Sequence, residues 1–330
     1  MQRQLTFGGG VSPRNTRLRG QSIIEYVLII AIIGLVIVFA GPGVAGAIRN
    51  QFNLVGNTVN NGTAGGVEGG ASGGGSTGAD SATVQAAIAK DAKDWTLDEQ
   101  EAVAKDIAKN GTSSIAYAKA KAAMDAGTKF SMKLTDGQTL TYRIIGINHD
   151  NLADGSGKAG LTFLTTSSNI EGRMNATSTN AGGWEKSRLR QKMNGGEIWN
   201  LMPSDFQSKV KPVRKLTNNV GGGGANKNAI ITTTTDKLFL LSYSEMVPTS
   251  FWASEYPWTS SEGFQYEAFR GKVTENYSDN SAIDIGSYWL ERSVRPDRHD
   301  SFLNINNNGN PSYYLDAGAI DSCVCPAWCF

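Results

Sequence analysis

An apolar run from Val27 to Ala40 constrains the fold of this chain more than any other segment. Between Ser22 and Ile48 the only charged side chain is that of Glu25. About 20 consecutive apolar residues allow a helix to span the hydrocarbon core of a bilayer. A carboxylate in such a helix costs about 2.5–3.5 kcal/mol on insertion scales unless a cation neutralises it. The run therefore predicts a membrane-spanning helix in which Glu25 needs a partner.

A basic leader precedes this run, with arginines at positions 3, 14, 17 and 19. Positive charges before an apolar span orient it with its N-terminus in the cytoplasm, so we expect the rest of the chain to be exported. An ordinary cleaved secretory signal, with a small-residue site at Ala45-Gly46-Ala47, is an alternative interpretation. Such a signal has no use for Glu25, and this favours a more specific interpretation of the segment.

The stretch Gly20-Gln21-Ser22-Ile23-Ile24-Glu25-Tyr26 resembles the processing motif of type IV pilins, most closely the small Flp/Tad pilins. The resemblance implies that a prepilin peptidase cuts after Gly20 and leaves Gln21 as the first mature residue. The new amino group of one subunit would then neutralise Glu25, next to Tyr26, of a neighbouring subunit. The implied partners are the peptidase, other pilin subunits, and the cytoplasmic membrane before assembly.

A glycine-rich segment over residues 61–80 follows the expected pilin helix of residues 21–60. It cannot bury enough apolar surface to fold, and a flexible linker of about 20 residues spans roughly 25 Å. Residues 81–127 then show helical periodicity, with a capping box from Thr96 to Glu99 and a helix stop at Asn110-Gly111. We expect a helical hairpin that packs on the next domain or acts as a stalk.

From Thr128 the pattern changes to period two and to turns. It predicts a hairpin of Phe130–Leu134 and Leu140–Ile147, and further strands at Leu161–Leu164 and Lys237–Leu241. Two short helices are predicted between them, around Trp184 to Met193 and Ile198 to Lys209. These elements indicate a mixed α+β domain.

Four blocks of this region look like successive blocks of the DUF6273 family, which is related to the C-type-lectin-like fold. That fold is shared by formylglycine-generating enzymes and by the variable proteins of diversity-generating retroelements. The blocks are residues 183–190, residues 235–245, Tyr288-Trp289-Leu290-Glu291-Arg292-Ser293, and Val324 to Phe330. Glu291 interrupts the usual Trp-Leu-Arg-Ser run, and Cys325 stands where Arg is common. Large aromatics anchor irregular folds, so Trp184, Trp289 and Trp328, with Arg188, are interpreted as core residues.

The expected fold class is therefore α+β, in five segments. A prepilin leader (1–20) precedes a long N-terminal hydrophobic pilin helix (21–60) and a Gly-rich linker (61–80). A helical stalk (81–127) and a C-type-lectin-like mixed domain (128–330) complete the chain.

Two polar clusters near the C-terminus are the candidate ligand-binding residues, since Tyr, Ser, Asn and Arg in loops are typical of adaptable binding surfaces. Retroelement variable proteins carry their diversified positions in a corresponding segment, at residues reachable from Asn codons. An ordinary polar loop region is the alternative. The candidates are Arg295, Asp297, Arg298, His299, Asp300, Ser301, Tyr313, Tyr314 and Asp316.

Catalysis is poorly supported, because the two histidines, His149 and His299, have no motif neighbours suggesting a triad or a metal site. Three cysteines crowd the last eight residues, at positions 323, 325 and 329. A strained disulfide, a zinc site lacking a fourth ligand, and simple burial are all open, with burial favoured. A copper oxidase using Cys325 and Cys329 would rest on fold analogy alone. We expect no enzyme, no cofactor and no metal.

The sequence thus predicts a minor or tip pilin or adhesin of a type IV pilus at the cell surface, whose C-terminal domain binds a protein or glycan ligand. A net charge of +1 does not favour nucleic acid as a partner. A structural pseudopilin needed for pilus assembly, or a membrane-anchored receptor outside a pilus, are the alternatives.

Overall fold

The computed structural model describes residues 78–167, 169–218, 230–248, 252–273, 278–320 and 322–330. Gly74–Phe330 belong to one compact unit. The predictions for the leader, for the pilin helix and for nearly all of the linker lie outside the described residues.

Helices dominate the first part of the described chain, and strands the last. The helices are α1 (Gly78–Ala89), α2 (Leu97–Asn110), α3 (Tyr117–Asp125), α4 (Gly183–Lys186), α5 (Arg188–Asn194), α6 (Glu197–Leu201), α7 (Ser204–Lys209) and α8 (Tyr243–Met246). The strands are β1 (Lys129–Lys133), β2 (Thr139–Ile147), β3 (Leu161–Thr165), β4 (Val213–Asn218), β5 (Ile231–Asp236), β6 (Trp289–Val294), β7 (Ser301–Ile305), β8 (Tyr313–Asp316) and β9 (Ala327–Cys329).

The described strands form three antiparallel sheets. Their orders are β1-β2-β3-β9, β4-β5 and β6-β7-β8. The C-terminal strand β9 pairs with β3, which places Trp328 opposite Phe163. Trp328 also packs edge-on against Tyr142 and Phe206, with ring centroids 4.9 and 5.1 Å away. This aromatic cluster ties the first sheet to the short helices.

The predicted hairpin and third strand are confirmed. In β1, Phe130 and Met132 are buried while Lys129 and Lys133 are exposed, as period two requires. The turn between β1 and β2 has φ of 87° at Gly137, which glycine adopts without steric cost.

The helical segment starts and stops as predicted. The Thr96 hydroxyl accepts from the Glu99 amide over 3.2 Å and the Glu99 carboxylate accepts from the Thr96 amide over 2.7 Å, which completes the capping box. Gly111 ends α2 with φ of 56°.

Of the two expectations for the helical segment, packing on the next domain is confirmed and the stalk is wrong. Val103 and Ile107 on α2 are fully buried in the same hydrophobic core as the sheet residues. The Tyr142 hydroxyl on β2 donates to Oε1 of Gln100 on α2 over 3.1 Å. The apolar face of α2 needs burial, and the nearest apolar surface is the domain itself, so the segment packs there instead of projecting as a stalk.

The predicted fold class is corrected for the part of the chain that the structure describes. Within the described part of the chain, no helix is long and apolar enough to span a membrane. The longest described helix, α2, has 14 residues, which is about 21 Å at 1.5 Å per residue, against a bilayer core of about 30 Å. What the structure describes is a mixture of short helices and strands, and residues 21–60 lie outside it.

Three local predictions are corrected. Lys237–Leu241 is not a strand: Leu238 to Leu241 are buried, but the run has a single bridge, between Phe239 and Ala327. The two predicted helices are four, because Ser187 and Pro203 break them with extended ψ angles of 145° and 151°.

The predicted core tryptophans are confirmed, and the predicted core arginine is not. Trp184, Trp289 and Trp328 are fully buried, whereas Arg188 is exposed. Its place is taken by Arg190, whose Nε donates to Oδ1 of buried Asp236 over 2.6 Å.

A bulge in β6 explains how the chain accommodates Glu291. Leu290 pairs with Asn304 and Val294 with Phe302, so β6 advances four residues while β7 advances two. The additional residues keep Arg292 directed into the core, and they leave the Glu291 carboxyl buried with no hydrogen-bond partner among the described residues.

Candidate ligand-binding surface

The sheet β6-β7-β8 positions most of the candidate residues. Strand β7 is buried along its length, while β8 is the exposed outer strand among the described strands of this sheet. Successive side chains of a strand point to opposite faces. Tyr313 and Tyr314, each 43% exposed, therefore flank the sheet edge on both sides.

The loop between β6 and β7 carries the candidate residues from Arg295 to Asp300, and hydrogen bonds fix its conformation. The Arg295 amide donates to the Ser301 carbonyl oxygen over 3.0 Å, which closes the loop. The side-chain Nδ2 of buried Asn180 donates to the carbonyl oxygens of Arg298 and Ser301. The backbone amide of Asn180 donates to the carbonyl oxygen of His299. A buried amide side chain thus orders a loop that would otherwise have few contacts.

Arg295 is fixed between an aromatic ring and a carboxylate. Its guanidinium carbon lies 3.5 Å from the centroid of the Tyr314 ring, and 5.6 Å from that of Trp252. Its Nε and Nη2 donate to the two carboxylate oxygens of Asp297 over 2.6 and 3.1 Å. These hydrogen bonds from Arg295 lower the pKa of Asp297, so the pair is fully charged at neutral pH.

Arg298 forms a second, looser pair beside the first. Its Nε lies 3.5 Å from Oδ1 of Asp300, and its guanidinium carbon 5.6 Å from the Tyr314 ring. Asp300 also accepts from the Ser301 hydroxyl over 2.6 Å, and this hydrogen bond lowers the pKa of the Asp300 carboxyl.

Tyr288 extends the aromatic area on the other side of the edge strand. It is 39% exposed, and its ring packs edge-on against Tyr313 with the centroids 6.3 Å apart. We call the exposed residues Tyr288, Tyr313, Tyr314 and Arg298, together with half-buried Arg295, the edge-strand surface.

The remaining candidates lie near this surface in supporting or peripheral positions. Ser301 is 2% exposed, and its hydroxyl is directed to Asp300. The Asp316 carboxylate accepts from the Gly318 amide over 2.7 Å and shapes the following turn. His299 is exposed.

Sequence reasoning missed Tyr288 and Trp252 as members of this site. The inward-facing Trp289 was the available signal for Tyr288, because its neighbour in a strand must face outward. No pattern linked Trp252 to Arg295. Gly20, Gln21, Glu25 and Tyr26 lie outside the described residues.

A buried charge network lies in the interior of the domain. The Lys215 ammonium contacts Oδ1 of Asp150 at 2.7 Å and also contacts the carboxylate of Glu245. Arg292 donates to the other oxygen of Glu245 over 2.5 Å. Burial alone would raise the pKa of Asp150, but the Lys215 charge outweighs it and lowers this pKa to about 2. Two cations and two carboxylates therefore stay charged and balanced.

Two of the three cysteines are buried, and Cys323 is half-buried. Cys325 and Cys329 are fully buried, which confirms the burial interpretation, and no disulfide joins the three cysteines. Burial raises the pKa of both buried thiols well above its usual range, so neither is a thiolate at neutral pH. Within the described ranges, no group of three His, Cys, Asp or Glu residues is arranged to hold a metal ion.

Comparison with known proteins gives one match. Residues 159–328 match the model of a family described as a domain of unknown function, DUF6273. No curated protein and no solved structure matches the chain. The matched region includes all of the edge-strand surface and most of the buried charge network.

Proposed function

The chain belongs to the DUF6273 family, and from this premise we propose that its C-terminal domain is a ligand-recognition head displayed at the cell surface. The observation that carries the proposal is the Arg295 guanidinium held 3.5 Å above the exposed Tyr314 ring. The ligand is a protein or a glycan, and recognition uses the edge-strand surface.

The chemistry of this surface supports recognition. Tyrosines present large contact areas at low entropic cost, and ordered arginines add hydrogen-bond donors in a fixed plane. Arg295 is already fixed by Asp297, so little ordering of this side chain remains to oppose binding, and Arg298 lies near Asp300 in a looser pair. The same pairing with Asp297 and Asp300 neutralises the arginines, which disfavours nucleic acid as the ligand.

Diversification of this face is part of the proposal. Residues 297, 298 and 299 and Tyr313 and Tyr314 are exposed, so their side chains can be exchanged without opening the core. The support for this is the resemblance of the sequence to a family that is related to the C-type-lectin-like fold of retroelement variable proteins. A template repeat and a reverse-transcriptase gene beside the coding sequence would support this, and their absence would refute it.

Display depends on the N-terminal motif. We propose that prepilin peptidase cuts between Gly20 and Gln21 at the cytoplasmic membrane, and that Glu25 and Tyr26 join other pilin subunits. The head is then a minor or tip component of a type IV pilus, and it has no enzymatic role and no cofactor.

Binding by whole cells that make the full chain tests the recognition role. Cells are applied to arrays of glycans and host-surface proteins, and Tyr313→Ala with Tyr314→Ala should abolish the wild-type binding pattern. The matched control is Ile115→Ala, a 39% exposed apolar residue in the helical segment. An unchanged pattern in the double variant would refute the edge-strand surface as the site.

N-terminal analysis of the surface-exposed protein tests display. Gln21 as the first residue is expected, and Met1 or Ile48 would contradict pilin processing. Retention of residues 1–20 would favour an anchored receptor. Deletion of residues 128–330 separates the remaining alternative. If the deletion abolishes pilus assembly rather than binding, the protein is a structural pseudopilin.

A further inference from the structure

A cavity of about 360 Å³ opens at the edge of the first sheet, and its wall includes none of the residues of the edge-strand surface. Strands β1 and β2 supply Lys129 and Arg143 to its wall, and the turn before β6 supplies Ser281 and Asp284. Volumes of about 300–1,000 Å³ are typical of small-molecule sites.

Two like charges face each other in this wall. Lys129 and Arg143 are directly opposite in the antiparallel register of β1 and β2. Like charges that lie directly opposite each other destabilise a sheet. The repulsion between these two positive side chains therefore needs a negatively charged group to offset it. Neither side chain forms an ion pair with any carboxylate in the part of the chain that the structure describes.

Arg143 is incompletely hydrogen-bonded. Its Nη2 donates to the carbonyl oxygen of Ala282, and its guanidinium carbon lies 5.6 Å from the centroid of the Phe269 ring. Its Nε is buried and has no hydrogen-bond acceptor within the described ranges. Buried donors are satisfied in the large majority of cases, so Arg143, which lines the cavity, keeps unused hydrogen-bonding capacity.

The rest of the wall limits the charge of that acceptor. The Thr166 and Ser281 hydroxyls offer hydrogen bonds to a polar ligand. Asp284 on the same wall repels anions of higher charge, such as phosphate, and can accept from a hydroxyl or an ammonium group.

We propose that this cavity binds a small organic molecule with a single carboxylate, which receives hydrogen bonds from Arg143 and Lys129. The body of the ligand is polar and of the size of an acidic monosaccharide or an amino acid. No residue of the edge-strand surface lines the cavity, so the proposal does not depend on the proposed function.

Calorimetric titration of the purified full chain tests the proposal with matched ligand pairs. The probes are glucuronate against glucose, alanine against alaninamide, and inorganic phosphate. We expect saturable binding of glucuronate or alanine and none of the partner that lacks the carboxylate. Binding of glucuronate identifies an acidic sugar, and binding of alanine identifies an amino acid whose ammonium group reaches Asp284.

The variants assign the binding to these residues. Loss of a hydrogen bond from a charged donor should weaken binding about tenfold or more in Arg143→Gln. Lys129→Gln should weaken it several-fold. Lys133→Gln is the matched control, because this lysine is exposed on the same face of β1 and does not line the cavity. Tyr313→Ala with Tyr314→Ala should leave the affinity unchanged.

Thermal unfolding separates loss of the site from loss of the fold. At one ligand concentration, the carboxylate ligand should raise the melting temperature of the wild type and of Lys133→Gln by similar amounts, and that of Arg143→Gln by clearly less. If Arg143→Gln does not fold, the exposed Lys129→Gln variant decides alone. Binding of phosphate only, of no ligand, or with equal affinity in wild type and Lys129→Gln would overturn the proposal.

Discussion

The Arg292 guanidinium donates to the Glu245 carboxylate over 2.5 Å, and the two side chains are 0% and 2% exposed. The same guanidinium donates to the carbonyl oxygens of Leu240, Leu216 and Glu262. Glu245 in turn caps α8 through the Ser242 amide over 3.0 Å. One arginine on β6 therefore joins strand β4, the buried run that precedes α8, and the loop that follows α8.

Removal of this arginine should be strongly destabilising. Arg292→Met leaves buried carbonyl oxygens and part of the Glu245 charge unpaired, and breaking a buried pair costs about 3–5 kcal/mol. Urea denaturation should show this loss as a lower free energy of unfolding. Lys121→Met is the control, because its pair with Asp125 is half exposed and should contribute nothing measurable. Equal stability of the two variants would contradict a structural role for the buried pair.

Acid should weaken the domain partly through Asp150. Its pKa is lowered to about 2 in the folded state, so its contribution is present above its ordinary value and is lost as pH falls towards 2. At about 1.4 kcal/mol per pKa unit, the contribution is about 2 kcal/mol. Asp150→Asn should therefore lose less stability than wild type between pH 5 and pH 2.

Urea denaturation at several pH values measures that difference. Asp125→Asn, whose side chain is 53% exposed, is the control and should follow the wild-type pH dependence. An Asp150→Asn variant that loses as much stability in acid as wild type would show that Asp150 is not the linked group.

The buried carboxyl of Glu291 should make stability depend on pH in the opposite direction. Burial, with the nearby Glu262 charge, raises the pKa of Glu291 well above its ordinary value of 4.5. Because the folded pKa exceeds the unfolded one, stability is greatest below the unfolded value and is lost as pH rises through the folded value. Glu291→Gln keeps the shape without the charge, so it should remove this loss at neutral and alkaline pH.

Melting temperatures across pH 4 to 9 check this expectation. Glu171→Gln changes an exposed carboxylate and should follow the wild-type curve. If the melting temperature of the wild type does not fall relative to that of Glu291→Gln as pH rises, the Glu291 carboxyl does not destabilise the fold when it ionises, and this prediction is wrong.

The elements that sequence predicted correctly are those fixed by local signals. The β1–β2 hairpin has strict alternation in β1 and an Asp136-Gly137 turn, and α2 has its own capping box at Thr96. Such signals act over a few residues and need no tertiary information.

The failures share a different cause. An apolar run such as Lys237–Leu241 reports burial, and burial does not distinguish a strand from an extended loop crossing a core. Whether Arg188 or Arg190 is the buried arginine depends on which side of the seven-residue helix α5 faces Asp236. The pairs that join Lys215 to Asp150 and Glu245 link residues 65 and 30 positions apart, and no local pattern encodes them.

The same distinction applies to the edge-strand surface. Composition correctly indicated a polar, aromatic segment near the C-terminus, but stacking of Arg295 on Tyr314 follows from the closure of the β6–β7 loop by Asn180. Asn180 lies more than 100 residues before that loop, so its role was visible only in the fold.

Close packing of α2 on the sheet gives a final prediction about the helical segment. A Cβ atom added to Gly160, just before β3, would lie 1.8 Å from the carbonyl oxygen of Ala104 on α2. Backbone approaches backbone there, and neither can yield by a change of rotamer. Gly160→Ala should therefore displace α2 and lower the free energy of unfolding by about 1–3 kcal/mol, the usual cost of overpacking.

Gly195→Ala is the matched control for this substitution. Gly195 has an extended φ of 179°, and an added Cβ atom there meets nothing within 4 Å. Hydrogen exchange of the α2 amides gives the second measurement: Gly160→Ala should speed exchange in α2, and Gly195→Ala should not. Wild-type stability and exchange in Gly160→Ala would mean that α2 does not pack on the sheet in solution, and the stalk interpretation would then return.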